Sequence, residues 1–441
     1  MTASKRRWRI AVFVTLVISV VACAHVYVQE PVFRSNVSDG DVISTVFLIG
    51  DLGRPSLPLE NLIDAINHDV TEAIAQTPRT APIILGLGDN LYEKGLPHDL
   101  EAPGAEAEIA TLRAIGTQFA RIQNKGHQVQ VPLMLIPGNH DYNDDALAIR
   151  NNLGDISRWY FLEELAIDGA DAWTHLPGDA SRFGSAAELF GHLEGDPAAR
   201  VEFMAPMRIP GFDPGLVAIA VDSELVLDLY AQGYKDLAVA YWQRLEQALL
   251  AAPANAWLMI AAHHPPVTYG KHGRTSFGNW MFGPGWPQFP QVWQKALIAT
   301  LPLGIVLGAV VYPTVLAIAA APPLVTAIVS GRKQDVGSVP YDQYAAEFLK
   351  LAAEYEVDAV LAGHDHSTQI IELSSIDGFS GDSLLVITGA GSKVESVRRG
   401  PGTVAYLSDH SYVRMTQHAG GLIFEIIDQQ GRVHYRYEVS S

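Results

Sequence analysis

The chain has a single cysteine among 441 residues, so no disulfide can form within it. It is poor in positive charge: 30 Lys and Arg stand against 48 Asp and Glu, a formal net charge of −18 at pH 7. A nucleic-acid scaffold binder needs basic surface to meet phosphate backbones, and this balance argues against that class. Any affinity for phosphate would have to come from a local site, of the kind metal cations can build inside an acidic protein. No internal repeat is present. Charge is also absent from Ala296 to Gly331.

The lone Cys23 sits at a telling place. Lys5, Arg6, Arg7 and Arg9 form a basic start, and an apolar run from Ile10 to Ala24 follows. That run is short for a membrane span of ~20 residues. Val20-Val21-Ala22-Cys23 resembles the lipobox of bacterial lipoproteins, in which the Cys is diacylated and becomes the new N-terminus. An uncleaved anchor, or ordinary cleavage around Ala22-Cys23-Ala24, would export the following domain equally well. The expected organisation is an export segment at 1–23, a tether at 24–41 and a folded domain at 42–440. The location implied is the periplasmic or extracellular face, anchored to the membrane.

Within the domain, short apolar runs alternate with helical patterns. Strands are expected at Val42–Ile49, Ile83–Leu87, Val131–Ile136, Leu216–Val221, Trp257–Ala262, Ala359–Ala362, Leu384–Thr388, Leu422–Ile427 and Val433–Val439. Helices are expected at Leu57–Gln76, Glu106–Ile122, Leu237–Leu250 and Tyr341–Tyr355, where apolar residues recur every three or four positions. The early β/α alternation and strand-rich end predict a layered α/β fold with a mixed sheet. Asn143–Pro210, acidic and rich in Gly and Ala, reads as surface loops and short helices.

Five apolar runs end in possible metal ligands. Ile49-Gly50 leads to Asp51, Leu87-Gly88 to Asp89, and Ile136-Pro137-Gly138 to Asn139-His140. Ala261-Ala262 leads to His263-His264, and Ala362-Gly363 to His364-Asp365-His366. Ligands in α/β proteins gather outside the carboxyl ends of strands, so the five runs should present these side chains at one rim. Singly, a Gly-Asp after a strand is an ordinary turn and a His pair an ordinary strand end. Five such endings in one chain make a structural explanation for all of them poor.

In this order, Gly-Asp-x-Gly, Gly-Asp-x-x-Tyr, Gly-Asn-His-Asp, His and Gly-His-x-His resemble the calcineurin-like metallophosphoesterases. The nearest branch is the purple acid phosphatases of the tartrate-resistant type. Gly53 stands where most of that superfamily has His, and Tyr92 occupies the spacing this branch uses. Tyr241-Trp242-Gln243-Arg244-Leu245 and Thr388-Gly389-Ala390-Gly391 extend the likeness. The resemblance implies a four-layer αββα sandwich with mixed sheets. It implies two metals, with Fe(III) held by Asp51, Tyr92 and His366. A divalent Fe, Zn or Mn would be held by Asn139, His263 and His364, with Asp89 bridging the two. His140 and His272 match substrate-facing catalytic positions, and Asp141 matches an acid that orients His140. His264 falls where the family often has an aromatic residue, and strand alternation should turn it away from the metals.

The implied function is an exported phosphatase that hydrolyses phosphomonoesters by attack of a metal-bound hydroxide. The alternatives are a phosphodiesterase or nucleotide pyrophosphohydrolase on the same scaffold, or an anchored chain without catalysis. The implied partner is a small phosphate ester. The uncharged stretch lies in an apolar insertion at 277–337 and fits a helical hairpin bent near Tyr312-Pro313. Two full spans would need ~40 residues plus a turn. Trp280, Trp286 and Trp293 before it, and Arg332 and Lys333 after it, suit a membrane interface, making 296–330 a candidate second anchor.

Overall fold

The computed structural model describes residues 42–76, 81–93, 95–96, 103–120, 123–124, 127–128, 131–142, 146–147, 153–167, 173–212, 215–273 and 333–440. The expected export segment with Cys23, the expected tether and the expected hairpin lie outside the described residues. Among the described residues no helix is long and apolar enough to cross a membrane.

Two seven-stranded mixed sheets face each other. The strands of the first are β1 (Val42–Ile49), β2 (Ile83–Leu87), β3 (Leu133–Ile136), β4 (Trp173–His175), β12 (Ser411–His418), β13 (Gly421–Asp428) and β14 (Val433–Ser440), in the order β14-β13-β12-β1-β2-β3-β4. β1 to β4 are mutually parallel, and β12 pairs antiparallel to β1. The second sheet has the order β11-β9-β10-β8-β7-β6-β5. Its members are β5 (Met207–Arg208), β6 (Leu216–Val221), β7 (Trp257–Ala262), β8 (Ala359–Ala362), β9 (Thr368–Glu372), β10 (Leu384–Thr388) and β11 (Thr403–Leu407). β6, β7, β8 and β10 are parallel.

Strand alternation splits each run between two cores. Val46 and Leu48 join Leu85, Met134, Ala218, Met259 and Leu361 between the sheets. Phe47 and Ile49 point the other way, into cores under the helices. Both faces of the parallel strands are buried, which explains their continuous apolar runs. Truncating Leu48 to Ala would cost about 2–5 kcal/mol.

Helices cover both outer faces. α1 (Leu57–Gln76) buries Leu59, Leu62, Ile63, Ile66 and Val70, and α2 (Ala105–Ala120) packs beside it. On the other sheet lie α6 (Ser223–Ala231), α7 (Lys235–Leu250) and α8 (Val339–Glu354). α8 starts at Ser338, whose Oγ accepts from the Tyr341 N–H, with Pro340 in its first turn. The result is the expected α/β sandwich, helices–sheet–sheet–helices.

Two readings of the sequence need correction. Within 143–210 the described residues form more than a surface: α3 (Leu153–Trp159), α4 (Ala186–Leu193) and α5 (Pro197–Phe203) bury Ile156, Trp159, Leu189, Leu193, Val201 and Phe203 in the outer core, and β4 extends the first sheet. Their amphipathic segments are too short for periodicity to show. The last residues of the insertion expected at 277–337 pack on the domain: Gln334 O lies 3.1 Å from His364 Nε2, and the Val336 N–H donates to His272 O. Lys333 does not face a membrane interface: its ammonium pairs with Asp228 and, at 2.8 Å, with Glu224, both buried acids of α6.

Candidate metal centre

The parallel strands of both sheets end at one rim. β1 delivers Asp51, β2 Asp89, β3 Asn139, β7 His263 and β8 His364. Backbone bonds lace the rim: Gly50 N–H donates across the sheets to Thr388 O (2.7 Å), and Gly363 N–H donates to His263 O (3.0 Å) within the second sheet. Three residues here hold left-handed backbone without being glycine: Asp51 (φ 60°), Asp89 (φ 53°) and His364 (φ 66°). Such conformations cost energy and persist where surrounding structure enforces them. Close packing is part of that enforcement. A Cβ on Gly88 would sit 2.3 Å from His263 Nδ1, and one on Gly138 would sit 2.2 Å from Asp89 Oδ1.

The side chains form two donor groups sharing Asp89. In the first, the Tyr92 hydroxyl lies 2.6 Å from Asp51 Oδ1 and 3.0 Å from Asp89 Oδ2. His366 Nδ1 is 3.5 Å from Asp51 Oδ1, buried, and makes no hydrogen bond. In the second, His263 Nε2 is 3.2 Å from Asn139 Oδ1 and 3.3 Å from Asp89 Oδ1. The His364 ring stacks 5.1 Å from that of His263. Ligand atoms of Asp51, Asp89 and His263 lie within 4.8 Å of one another, as do those of His263, His264 and His364. These oxygen and imidazole donors suit hard or borderline di- and trivalent cations.

Burial and mutual charge shift the titratable groups of the rim strongly. Burial, followed by the Asp89 charge, pushes Asp51 well above the usual carboxylate range. Burial opposes ionisation of Asp89 too, but His263 outweighs it and, with His140, holds that carboxyl far below its usual value. Burial disfavours a charged His263, yet Asp89 and Asp51 carry it up to about 10. Burial, then Asp51 and Asp89, push Tyr92 well above the usual phenol range, so a phenolate there requires a strong local positive charge.

The candidate catalytic histidines flank the two groups. His140 stacks edge-on against Tyr92 at 4.5 Å, and its Nδ1 is 2.8 Å from Glu93 O. His272 lies 4.2 Å from the His364 ring. Asp141 does a different job from the one expected. It accepts from the N–H groups of Gly138, Asn90 and Leu91, tying the second and third ligand loops together, while His140 is held by Glu93. Burial and Asp89 raise Asp141 to about 7.

His264 is also placed differently. It lies past the end of β7, where alternation no longer applies, and its ring is 4.4 Å from that of His364. Its Nδ1 meets Ser223 Oγ at 2.9 Å, and its Nε2 is 3.7 Å from Glu224 Oε2. The sequence reading also missed Gln334, whose carbonyl lies 3.1 Å from His364 Nε2, and Asp335, which contacts His272. It missed Asp365 as well, which accepts from the Thr268 hydroxyl and anchors the loop carrying His272. The acid between the two histidines of Gly-His-x-His was a visible signal for Asp365; nothing near Asp335 marked it.

No protein-family model and no curated protein matches the chain. Solved structures that resemble it include the following three. One is GAP50, the anchor in the inner membrane complex of Plasmodium, at 13% identity and TM-score 0.47, covering 90% of this chain and 88% of that one. Another is the purple acid phosphatase PPD1 from yellow lupin (Lupinus luteus) seeds, at 14% and 0.47, covering 90% and 53%. The third is PhoD, at 11% and 0.46, covering 92% and 73%. At these identities and scores the likeness assigns neither family nor activity.

Proposed function

We propose that the chain is an exported, metal-dependent phosphomonoesterase with a two-metal centre. The observation that supports this reading is the division of Asp89: Oδ2 faces the Tyr92 hydroxyl, which also meets Asp51, and Oδ1 faces His263. A carboxylate splitting its oxygens between two donor groups is what a bridging ligand requires. Asp51, Tyr92 and His366 would hold one metal, Asn139, His263 and His364 the other, and Asp89 both. The tyrosine oxygen favours ferric iron in the first site; Fe, Zn or Mn divalent suits the second.

Bound metals would supply positive charge for the phosphoryl oxygens and make water acidic enough to serve as a nucleophile. The protein's own residues do the rest. His140 and His272 border the donor groups on the Tyr92 side and the His364 side. His140 contributes a hydrogen-bond donor to the phosphate, and His272 gives a proton to the departing alkoxide. Asp141 keeps the Asp89 and Asn139 loops in register.

Purified protein should be stripped with chelator, reloaded with iron and with zinc, and assayed on monoesters, diesters and nucleotides. Two metals per chain with monoesterase activity are expected, and Asp89→Asn should lose both metals and the activity. Preference for diesters or nucleotides would replace the substrate assignment. Full metal loading with no turnover on any ester would leave an anchored, inactive scaffold.

A further inference from the structure

The first four residues after the apolar insertion fold onto the rim, and each is fixed there. Lys333 is held by Glu224 and Asp228. The Gln334 carbonyl is 3.1 Å from His364 Nε2, and the Val336 N–H donates to His272 O at 3.0 Å. Ser338 then closes the turn, donating its hydroxyl to Lys333 O (3.0 Å) and its N–H to Asp335 O (3.1 Å) before capping α8. Asp335 sits in the middle, with Oδ1 2.9 Å from His272 Nδ1. Both side chains are mostly shielded, with 16% and 13% exposure for His272 and Asp335.

We infer that Asp335 is a positioning residue for His272, supplied by the strap Lys333–Val336. A carboxylate beside Nδ1 holds the hydrogen on that nitrogen and fixes the ring plane. Nε2 is then the nitrogen presented to substrate. The strap has little freedom, so the ring is held without an ordering cost at each turnover. The same strap touches His364, so closure of the chain after the insertion sets the candidate acid and one candidate ligand together.

This inference rests on the proposed role of His272, and the test separates the two. Alkyl phosphates (poor leaving groups) and 4-nitrophenyl phosphate (a good one) are assayed with wild type, Asp335→Ala, Asp335→Asn, His272→Ala and the Asp335→Ala/His272→Ala pair. Metal content and thermal melts are measured for each. Asp335→Ala should slow alkyl phosphates by about 10–100-fold, the range for residues that orient a functional histidine, and 4-nitrophenyl phosphate only a few-fold. Asp335→Asn, which keeps an acceptor, should lose less. In the His272→Ala background, Asp335→Ala should change nothing further, with metal content constant throughout. Additive losses, or a uniform slowdown across leaving groups, overturn the positioning role. If His272→Ala itself shows no leaving-group dependence, the proton-donor role falls, while non-additivity in kcat still reports the coupling.

Discussion

Nε2 of His263 lies 3.3 Å from Oδ1 of Asp89, while Nδ1 of the same ring is 2.8 Å from the Leu87 carbonyl oxygen. A carbonyl only accepts, so Nδ1 carries a hydrogen. Nε2 therefore faces a carboxylate oxygen across a gap that only a proton or a metal can reconcile. In metal-free protein the proton takes that place, which is why His263 is carried up to about 10. Its folded-state value is above the unfolded value of ~6.5. The stabilisation is therefore complete below ~6.5 and is lost as pH rises toward 10. Metal-free protein should show a falling melting temperature between pH 7 and 10, and metal-loaded protein a flatter profile. Parallel profiles for the two forms would mean that His263 does not meet the metal.

Tyr92 yields an optical prediction. Its hydroxyl lies against Asp51 and Asp89, so a ferric ion on those carboxylates should ionise the phenol despite the opposing push of burial. Iron-loaded wild type should be coloured through phenolate-to-iron charge transfer, and Tyr92→Phe should be colourless with an unchanged far-UV spectrum. An active, iron-loaded wild type without visible absorption rules out the phenolate.

The parts that were legible in the sequence share one property: their cause is local. The buried strands β1, β2, β6 and β7 read as continuous apolar runs, and their carboxyl ends pointed to Asp51, Asp89 and His263. The parts that were missed are completed from far away. β12 buries Thr416, Gln417 and His418, tolerable because it lies between β1 and β13, with Ser44 Oγ donating to Gln417 Oε1. α6 buries Glu224 and Asp228 because Lys333, more than a hundred positions later, neutralises them. No window around α6 contains that cation.

His175 gives a test away from the metals. Its ring packs 4.1 Å from Trp159, and its Nε2 is buried with no hydrogen-bond partner. Burial lowers it to about 3. A base depressed in the folded state stabilises above the unfolded pKa of ~6.5, and that contribution fades as pH falls toward 3. The slope from one such proton is at most about 1.4 kcal/mol per pH unit. Urea unfolding at pH 4.5 and 7 should show a smaller acid loss in His175→Phe than in wild type. Equal losses would show that this histidine already charges in the folded protein.

His263 and His264 are neighbours in the chain with different surroundings, and that difference can be measured. His263 reaches Asp89 and Asn139 through one nitrogen and is fixed by Leu87 through the other. His264 is engaged by Ser223 at Nδ1, and its remaining nitrogen faces Glu224 rather than either aspartate of the rim. It meets the candidate centre through ring contacts with His364 (4.4 Å, tilted) and His263 (4.9 Å, edge-on), contacts that a phenyl ring can also make. His263→Ala should therefore retain one metal per chain and lose nearly all activity. His264→Phe should retain two metals and a rate within about tenfold of wild type, the lower edge of what orienting residues around a metal cost. Elemental analysis after gel filtration decides between these roles. One metal per chain in His264→Phe would make His264 a ligand, and two in His263→Ala would remove His263 from the second site.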